Sequence, residues 1–161
     1  MAIWQFGMYL VPRAGVLSVH GCIPYEIDEY KPHDASADFD EGKVYPDYWE
    51  GKGVPDSIRR KVSEKFPRIH SWSDEAEMYG DEDGTKVEIW LDDVMCFVDS
   101  RCDAGEVLRF FVDLAEEGLC LIVLKEDGRV LDALLDSVVN EFYKSRAFRF
   151  SLDPTKTILE S

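Results

Sequence analysis

Alternating apolar and polar residues predict the first strand of the chain. Large apolar side chains recur at every second position from Trp4 to Leu10, which is the period of a strand that buries one face. The Pro-Arg-Ala-Gly sequence at residues 12–15 predicts a turn. Residues 16–19 then predict a second, shorter strand. The amino-terminal region is therefore expected to contribute two strands.

The same period predicts two strands in the middle of the chain. Residues 85–91 place Val87, Ile89 and Leu91 on one side of an extended segment, a pattern typical of a half-buried strand. The Asp-Asp pair that follows suits a tight turn. Residues 94–98 are therefore predicted to be the antiparallel partner of this strand.

A continuous apolar run predicts a buried strand near the carboxyl end. Residues 119–124 are apolar throughout and too few for a helix, so we expect a central strand that is buried on both faces. The Asp127-Gly128 pair that follows is a strong hairpin signal. It predicts a short antiparallel strand at residues 129–131.

Helical spacing appears first after Pro55, a residue type that suits the first turn of a helix. Ile58, Val62 and Phe66 lie four residues apart and would form one apolar stripe on that helix. Pro67 ends it, because proline cannot continue the hydrogen-bonded turn.

Two further helices and a short terminal one are predicted in the last third of the chain. Asp103 suits an N-cap, and Gly118 marks a carboxyl-terminal stop. Asp132 is predicted to cap the next helix. Asp153 and Pro154 resemble an N-cap followed by a first-position proline, which predicts a short helix at the end.

Together these elements predict one α+β domain over residues 1–161. A mostly antiparallel sheet of about five strands would pack against two or three helices. No internal repeat or linker divides the chain. Residues 25–53 and 71–84 lack an apolar period, so we expect both to be irregular.

The composition limits the classes of partner. The chain has 33 acidic and 18 basic side chains, giving a net charge of −15. This charge argues against nucleic acid and against an anionic membrane surface, because both need a basic face. It favours a basic protein partner.

The cysteines and the apolar beginning of the chain bear on the compartment. The four cysteines show no metal-type spacing, and their use suggests a reducing, cytoplasmic environment. Pro12 interrupts the apolar run long before the ~20 residues that span a bilayer. We therefore expect neither a signal peptide nor a membrane span there.

The excess negative charge lies mainly in two segments. Residues 25–54 have nine acidic and three basic side chains, and residues 72–103 have eleven acidic and two basic. Aromatic residues lie among these carboxylates. Acidic loops with aromatic anchors are typical of a protein-binding surface, in which the charges steer the partner and the rings bind it.

We therefore predict that a basic partner binds acidic and aromatic side chains of these loops. The predicted partner-binding residues are Asp38, Asp40, Glu41, Asp47, Trp49, Glu50, Trp72, Asp74, Glu75, Glu77, Tyr79, Asp81, Glu82 and Asp83. The alternative is that the loops are only solvated, with aromatic rings packed on the core. The basic side chains Arg59, Arg60, Lys61 and Lys65 would be a solvated face or an internal counter-charge.

No catalytic, cofactor or metal motif is complete. The acidic loops fail the EF-hand pattern, and the three histidines stand far apart without a cysteine at ligand spacing. No glycine-rich phosphate loop occurs. We therefore predict a non-enzymatic protein without a cofactor or metal. A metal-dependent enzyme, with an irregular cation site at Asp81, Glu82 and Asp83, and a housekeeping domain remain the alternatives.

The last third of the chain resembles small acidic bacterial proteins of the toxin-immunity kind. The resemblance covers about residues 85–161: a strand pair, a helix, a buried strand, an Asp-Gly turn, a second helix and the segment Ser145-Arg-Ala-Phe leading to Asp153-Pro154. It implies a single cytosolic domain that binds and blocks a toxin, often a cationic nuclease. The expected function is thus an immunity-type inhibitor of a basic toxin or effector.

Overall fold

The computed structural model describes residues 1–31 and 46–160. Seven strands of the described residues form one sheet in the order β2-β3-β4-β5-β1-β6-β7, and every neighbouring pair is antiparallel. The strands are β1 (Gln5–Pro12), β2 (Arg68–Ile69), β3 (Glu77–Gly80), β4 (Lys86–Ile89), β5 (Val94–Asp99), β6 (Cys120–Leu124) and β7 (Val130–Leu131).

Six α-helices and one 3-10 helix accompany the sheet in the described part of the chain. The helices are α1 (Arg13–His20), α2 (Asp56–Lys65), α3 (Gly105–Glu117), α4 (Leu135–Lys144), α5 (Arg146–Leu152) and α6 (Pro154–Leu159), and the 3-10 helix is Asp28–Tyr30. The predicted α+β class with an antiparallel sheet is confirmed. The sheet has two more strands, and the chain more helices, than predicted.

The first face of the sheet carries the main core. Phe6, Met8 and Leu10 of β1 lie on this face with side chains from β4, β5 and β6. Helices α2 to α5 cover it; α3 buries Phe111 and α4 buries Phe142 there. The ring of Phe142 meets that of Phe6 edge to face, at 5.5 Å between centroids.

The second face is also covered near β1 and β6, which corrects the prediction of a strand with one buried face. Tyr9 and Val11 of β1 are buried there. They pack with Val16 of α1, with Ile27 and with Tyr48. The odd positions of β1 therefore form a second, smaller core, a role that alternation on one side does not reveal.

Helix α1 replaces the predicted turn at residues 12–15 and strand at residues 16–19. The segment starts after Pro12 and ends at Gly21, which has a left-handed conformation with φ of 73°. Val16 is buried, whereas Leu17 and Val19 are exposed. The short apolar run therefore belongs to a helix with one buried side, which a four-residue pattern cannot distinguish from a strand.

Three smaller differences from the predicted elements occur. Strand β3 lies inside the segment 71–84 that we expected to be irregular, and α5 was not predicted. Asp132 does not cap α4, whose N-cap position is Leu134 without a side-chain bond. Instead, Asp132 Oδ1 accepts a hydrogen bond from Arg13 at 2.5 Å. The predicted cap of α6 is confirmed, because the Asp153 side chain accepts from the Lys156 amide.

Candidate functional site

The structure separates the predicted binding residues between the two ends of the sheet. The register of β3 and β4 pairs Glu77 with Ile89 and Gly80 with Lys86. The acidic segment before β3 therefore lies beside the β4–β5 turn. The acidic turn after β3 lies about 13 Å away, since four strand residues span that distance.

We call the first of these regions the Trp72 surface, formed by residue 47 and residues 50–53, 72–75 and 91–92. The rings of Trp72 and Trp90 meet edge to face, with centroids 5.5 Å apart. The amide of Val54 donates to the carbonyl of Leu91 at 2.8 Å. These contacts bring the three segments together at one end of the sheet.

Two large apolar side chains are exposed on the Trp72 surface. Trp72 is 68% exposed and Leu91 is 74% exposed. The exposed carboxylates around them are Asp47, Glu50, Asp74, Glu75 and Asp92. Leu91 was predicted to share the buried side of its strand with Val87 and Ile89, but the strand ends at Ile89 and the turn carries Leu91 outward.

Hydrogen bonds within the loops fix the shape of the Trp72 surface. The carboxylate of Asp47 accepts from the amides of Trp49 at 3.0 Å and Gly51 at 2.7 Å. The amide of Trp90 donates to the carbonyl of Asp93 at 2.8 Å, which closes the β4–β5 turn. The surface is thus built on turns whose backbone groups are paired.

Two aromatic residues predicted to bind a partner are buried instead. Trp49 is 8% exposed and Tyr79 is 5% exposed, and both belong to the main core. The hydroxyl of Tyr79 donates to Glu77 Oε2 at 2.7 Å, so the half-buried Glu77 is also engaged within the fold. We therefore remove Trp49 and Tyr79 from the candidate surface, since buried rings cannot contact a partner.

Asp81, Glu82 and Asp83 form a separate acidic turn at the opposite end of β3. Their side chains are exposed, but the turn is tied to the fold. The carbonyl of Asp83 accepts from Trp4 Nε1 at 2.7 Å and from Arg101 at 3.1 Å. Glu82 lies 3.3 Å from Lys86 Nζ. This turn therefore belongs to a different surface from Trp72.

The remaining predicted binding residues, Asp38, Asp40 and Glu41, lie outside the described residues. The basic helix α2 is engaged elsewhere: Lys61 pairs with Glu117 of α3, and Arg59 lies 3.9 Å from Asp56 in its own first turn. The first pair joins α2 to α3 and the second lies within α2, so neither pair involves an acidic loop.

Sequence reasoning missed a polar cluster on the second face of the sheet. Lys86 and Glu88 are buried there and lie 3.1 Å apart. Burial acts to lower the pKa of Lys86, but hydrogen bonds to Glu88 and Glu82 outweigh it, so the pKa is raised. Lys86 and Glu88 alternate with the apolar Val87 and Ile89, a pattern that is typical of a solvent-exposed strand face. The sequence pattern therefore did not indicate that Lys86 and Glu88 form a buried ion pair.

A row of aromatic rings crosses the same face. The rings of Tyr9 and Tyr30 lie 4.3 Å apart, and those of Tyr30 and Tyr48 lie 6.2 Å apart. The hydroxyl of Tyr48 shares a hydrogen bond of 2.9 Å with His20 Nε2. Burial raises the pKa of Tyr48 to about 12, and Glu29 adds to this effect. This tyrosine is therefore a neutral hydrogen-bonding group at physiological pH.

Asp93 lies near this row and has a strongly shifted pKa. Burial raises the pKa of its carboxyl to about 7, although the Val94 amide donates to it and lowers the pKa. It lines a cavity of about 430 Å³ whose described walls include Tyr9, Tyr30 and Trp90. The indole nitrogen of Trp90 is buried and has no hydrogen-bond partner among residues 1–31 and 46–160.

Two of the four cysteines, Cys96 and Cys120, are buried, and the carboxylates of the described residues form no metal-binding cluster. Burial raises the pKa of Cys96, and it raises that of Cys120 to about 12, so neither thiol ionises readily. No group of three or more His, Cys, Asp or Glu side chains in residues 1–31 and 46–160 could hold a metal ion.

Comparison with known proteins gives no relative. No protein-family model, no curated protein and no solved structure matches the chain. None of the helices in the described ranges is long and apolar enough to cross a membrane.

Proposed function

We propose that this protein is a binding domain that uses the Trp72 surface to engage a basic protein. One observation carries the proposal: Trp72 and Leu91 are 68% and 74% exposed at the same end of the sheet, on segments that also carry exposed carboxylates. Trp72 contacts Trp90, the residue before Leu91. Exposed tryptophan is uncommon on a folded surface, and it is enriched among the residues that dominate binding energy.

The charge around these anchors favours a cationic partner. Asp74, Glu75 and Asp92 carry their charge into solvent, and no ion pair within the described residues neutralises them. A cluster of unpaired carboxylates repels anionic surfaces and speeds association with cationic ones. With the resemblance of residues 85–161 to immunity proteins, we propose an immunity-type inhibitor of a basic toxin or effector.

Affinity capture with matched variants tests this proposal. The bait is the full chain, used against lysate of the source cell and against purified products of neighbouring genes. We expect a basic protein to be retained by the wild type and released by salt, because charge contributes to the contact. The double variant Trp72→Ser/Leu91→Ser should lose it.

The control variant also removes two exposed apolar side chains, but at a site away from the Trp72 surface. Leu152→Ser/Leu159→Ser removes two side chains that are 71% and 80% exposed on α5 and α6, and it should retain the same partner. Equal retention by both double variants, or no salt-sensitive basic protein on the wild type, contradicts the proposal.

A further inference from the structure

A second cavity lies on the second face of the sheet, away from the Trp72 surface. Its volume is about 510 Å³, within the range of about 300–1,000 Å³ for small-molecule sites. It opens beside the beginning of β1 and the end of β6, whereas the Trp72 surface adjoins the end of β4. Its wall includes Gly7, Tyr9, Tyr30, Lys125 and Arg146. Lys31 and the acidic residues Glu29 and Glu126 also line it.

Lys125 is the unusual member of this wall. Its ammonium donates to Tyr9 Oη at 3.0 Å and lies 5.3 Å from the centre of the Tyr9 ring. No carboxylate of the described residues lies within ion-pair distance of it. An ammonium has three N–H donors, so two remain for a ligand.

The other partly buried lysines of the described residues differ from Lys125, because each of them pairs with a carboxylate. The described lysines that are at least partly buried are Lys31, Lys61, Lys86 and Lys125. The first three each pair with a carboxylate. With the carboxylates of the described residues, Lys125 has only a longer-range electrostatic interaction, with Asp93. In a chain of net charge −15, a partly buried cation with no carboxylate at ion-pair distance can bind an external anion.

Gly7 helps to place this cation. The amide of Lys125 donates to the carbonyl of Gly7 at 3.0 Å. A Cβ added at Gly7 would lie 2.9 Å from Lys125 Cδ. Because glycine leaves this space, the lysine stem crosses the strand and its ammonium reaches the Tyr9 hydroxyl.

We propose that this cavity binds a small organic anion with an apolar body, and that Lys125 is the counter-ion for its carboxylate, sulfonate or phosphate group. The rings of Tyr9 and Tyr30 provide an apolar wall for the body of the ligand. Arg146 also lines the cavity, but its amide donates to Glu126 Oε2 at 3.2 Å and Glu29 lies in the same wall, so the proposal rests on Lys125.

Fluorescence titration with 8-anilinonaphthalene-1-sulfonate tests the site, because this probe joins a sulfonate to apolar rings. The wild type should show saturable binding of one probe per chain. Lys125→Met keeps the stem but removes the charge, and it should weaken the affinity about tenfold or more, as expected for a lost charge-assisted contact. N-phenyl-1-naphthylamine has the same rings without the sulfonate, and its affinity should change little.

Two controls separate this site from general effects. Lys52→Met makes the same change of net charge at a lysine whose side chain is 81% exposed, and Trp72→Ser alters the other surface; both should bind the probe like the wild type. Gly7→Ala leaves the charge in place but displaces the lysine stem, and it should also weaken binding.

The binding results either support or overturn the proposed anion site. Absence of saturable one-to-one binding, or equal loss in Lys125→Met and Lys52→Met, overturns it. Near-ultraviolet circular dichroism of each variant checks its packing. If Lys125→Met does not fold, the affinity of Gly7→Ala decides: unchanged binding overturns the proposal, and weakened binding supports it.

Discussion

At the scale of single residues, Gly15 explains how α1 reaches the sheet. It is buried in α1, where glycine is intrinsically less favourable than alanine. A Cβ at this position would lie 1.8 Å from the carbonyl oxygen of Tyr48. The absence of a side chain therefore allows the segment that leads to the Trp72 surface to pack directly on the helix.

Replacing Gly15 by alanine should therefore destabilise the fold, although alanine favours a helix more than glycine does. We expect Gly15→Ala to lower the free energy of unfolding by about 2–3 kcal/mol, because the backbone of Tyr48 must move. Urea denaturation measures this change. The matched control is Gly105→Ala in α3, where the added Cβ meets only the Asp103 side chain at 3.4 Å; a loss of the same size there would argue against the steric explanation.

Asp93 has a predictable effect on the pH dependence of stability. Burial raises the pKa of its carboxyl to about 7 from an ordinary 3.8. Between these values the unfolded chain ionises this group while the folded chain keeps it protonated. Stability from this residue is therefore complete below pH 4 and is lost as the pH rises to about 7.

Asp93→Asn should remove this loss. We expect the variant to exceed the wild type in unfolding free energy by about 1–2 kcal/mol at pH 8, a modest gain because the carboxyl is partly exposed. The difference should vanish near pH 4. Thermal unfolding of both proteins across this range measures it, and a difference that does not depend on pH would contradict the shifted pKa.

At the scale of elements, the sequence predicts the helices and hairpins that are determined by neighbouring residues. Helix α2 begins after Pro55 and its Ile58 and Val62 are buried as the stripe required. The hairpin at Asp127-Gly128 joins β6 to β7 with Gly128 at φ of 75°. In both cases a few neighbouring residues contain the physical cause, so no distant contact is needed.

The elements that sequence analysis missed depend on distant contacts. Helix α1 is decided by Val16 packing on the second face and by Gly15 meeting Tyr48. Strand β3 is short and acidic, and it is recognisable only by its pairing with β4. Such long-range contacts override a weak local pattern.

The candidate surface was also predicted only in part from the sequence. The acidic loops identified Trp72, Asp74 and Glu75, but could not tell the exposed Trp72 from the buried Trp49. Both are aromatic residues in acidic loops. The turn after Trp90 contained the signal for Leu91, since an apolar residue directly before Asp92 and Asp93 stands at the tip of a turn.

At the scale of the whole molecule, the negative charge is divided between distinct regions. The Trp72 surface combines carboxylates with exposed apolar side chains, whereas the Asp81–Asp83 turn lies at the other end of β3. The cavity beside Lys125 is lined by basic and acidic side chains together, with Lys31, Lys125 and Arg146 beside Glu29 and Glu126. The proposed partner surface and the proposed anion site therefore lie at different places on the sheet.

The association rate of the captured partner measures whether the carboxylates of the Trp72 surface steer binding. Stopped-flow measurements compare the wild type with Asp74→Lys/Glu75→Lys and with Asp113→Lys/Glu116→Lys, which makes the same charge change on the exposed side of α3. The account predicts that reversal at the Trp72 surface slows association about tenfold at low salt, that this difference shrinks at high salt, and that the α3 variant stays within about twofold of the wild type. Equal slowing by both variants, or rates that do not respond to salt, would contradict it.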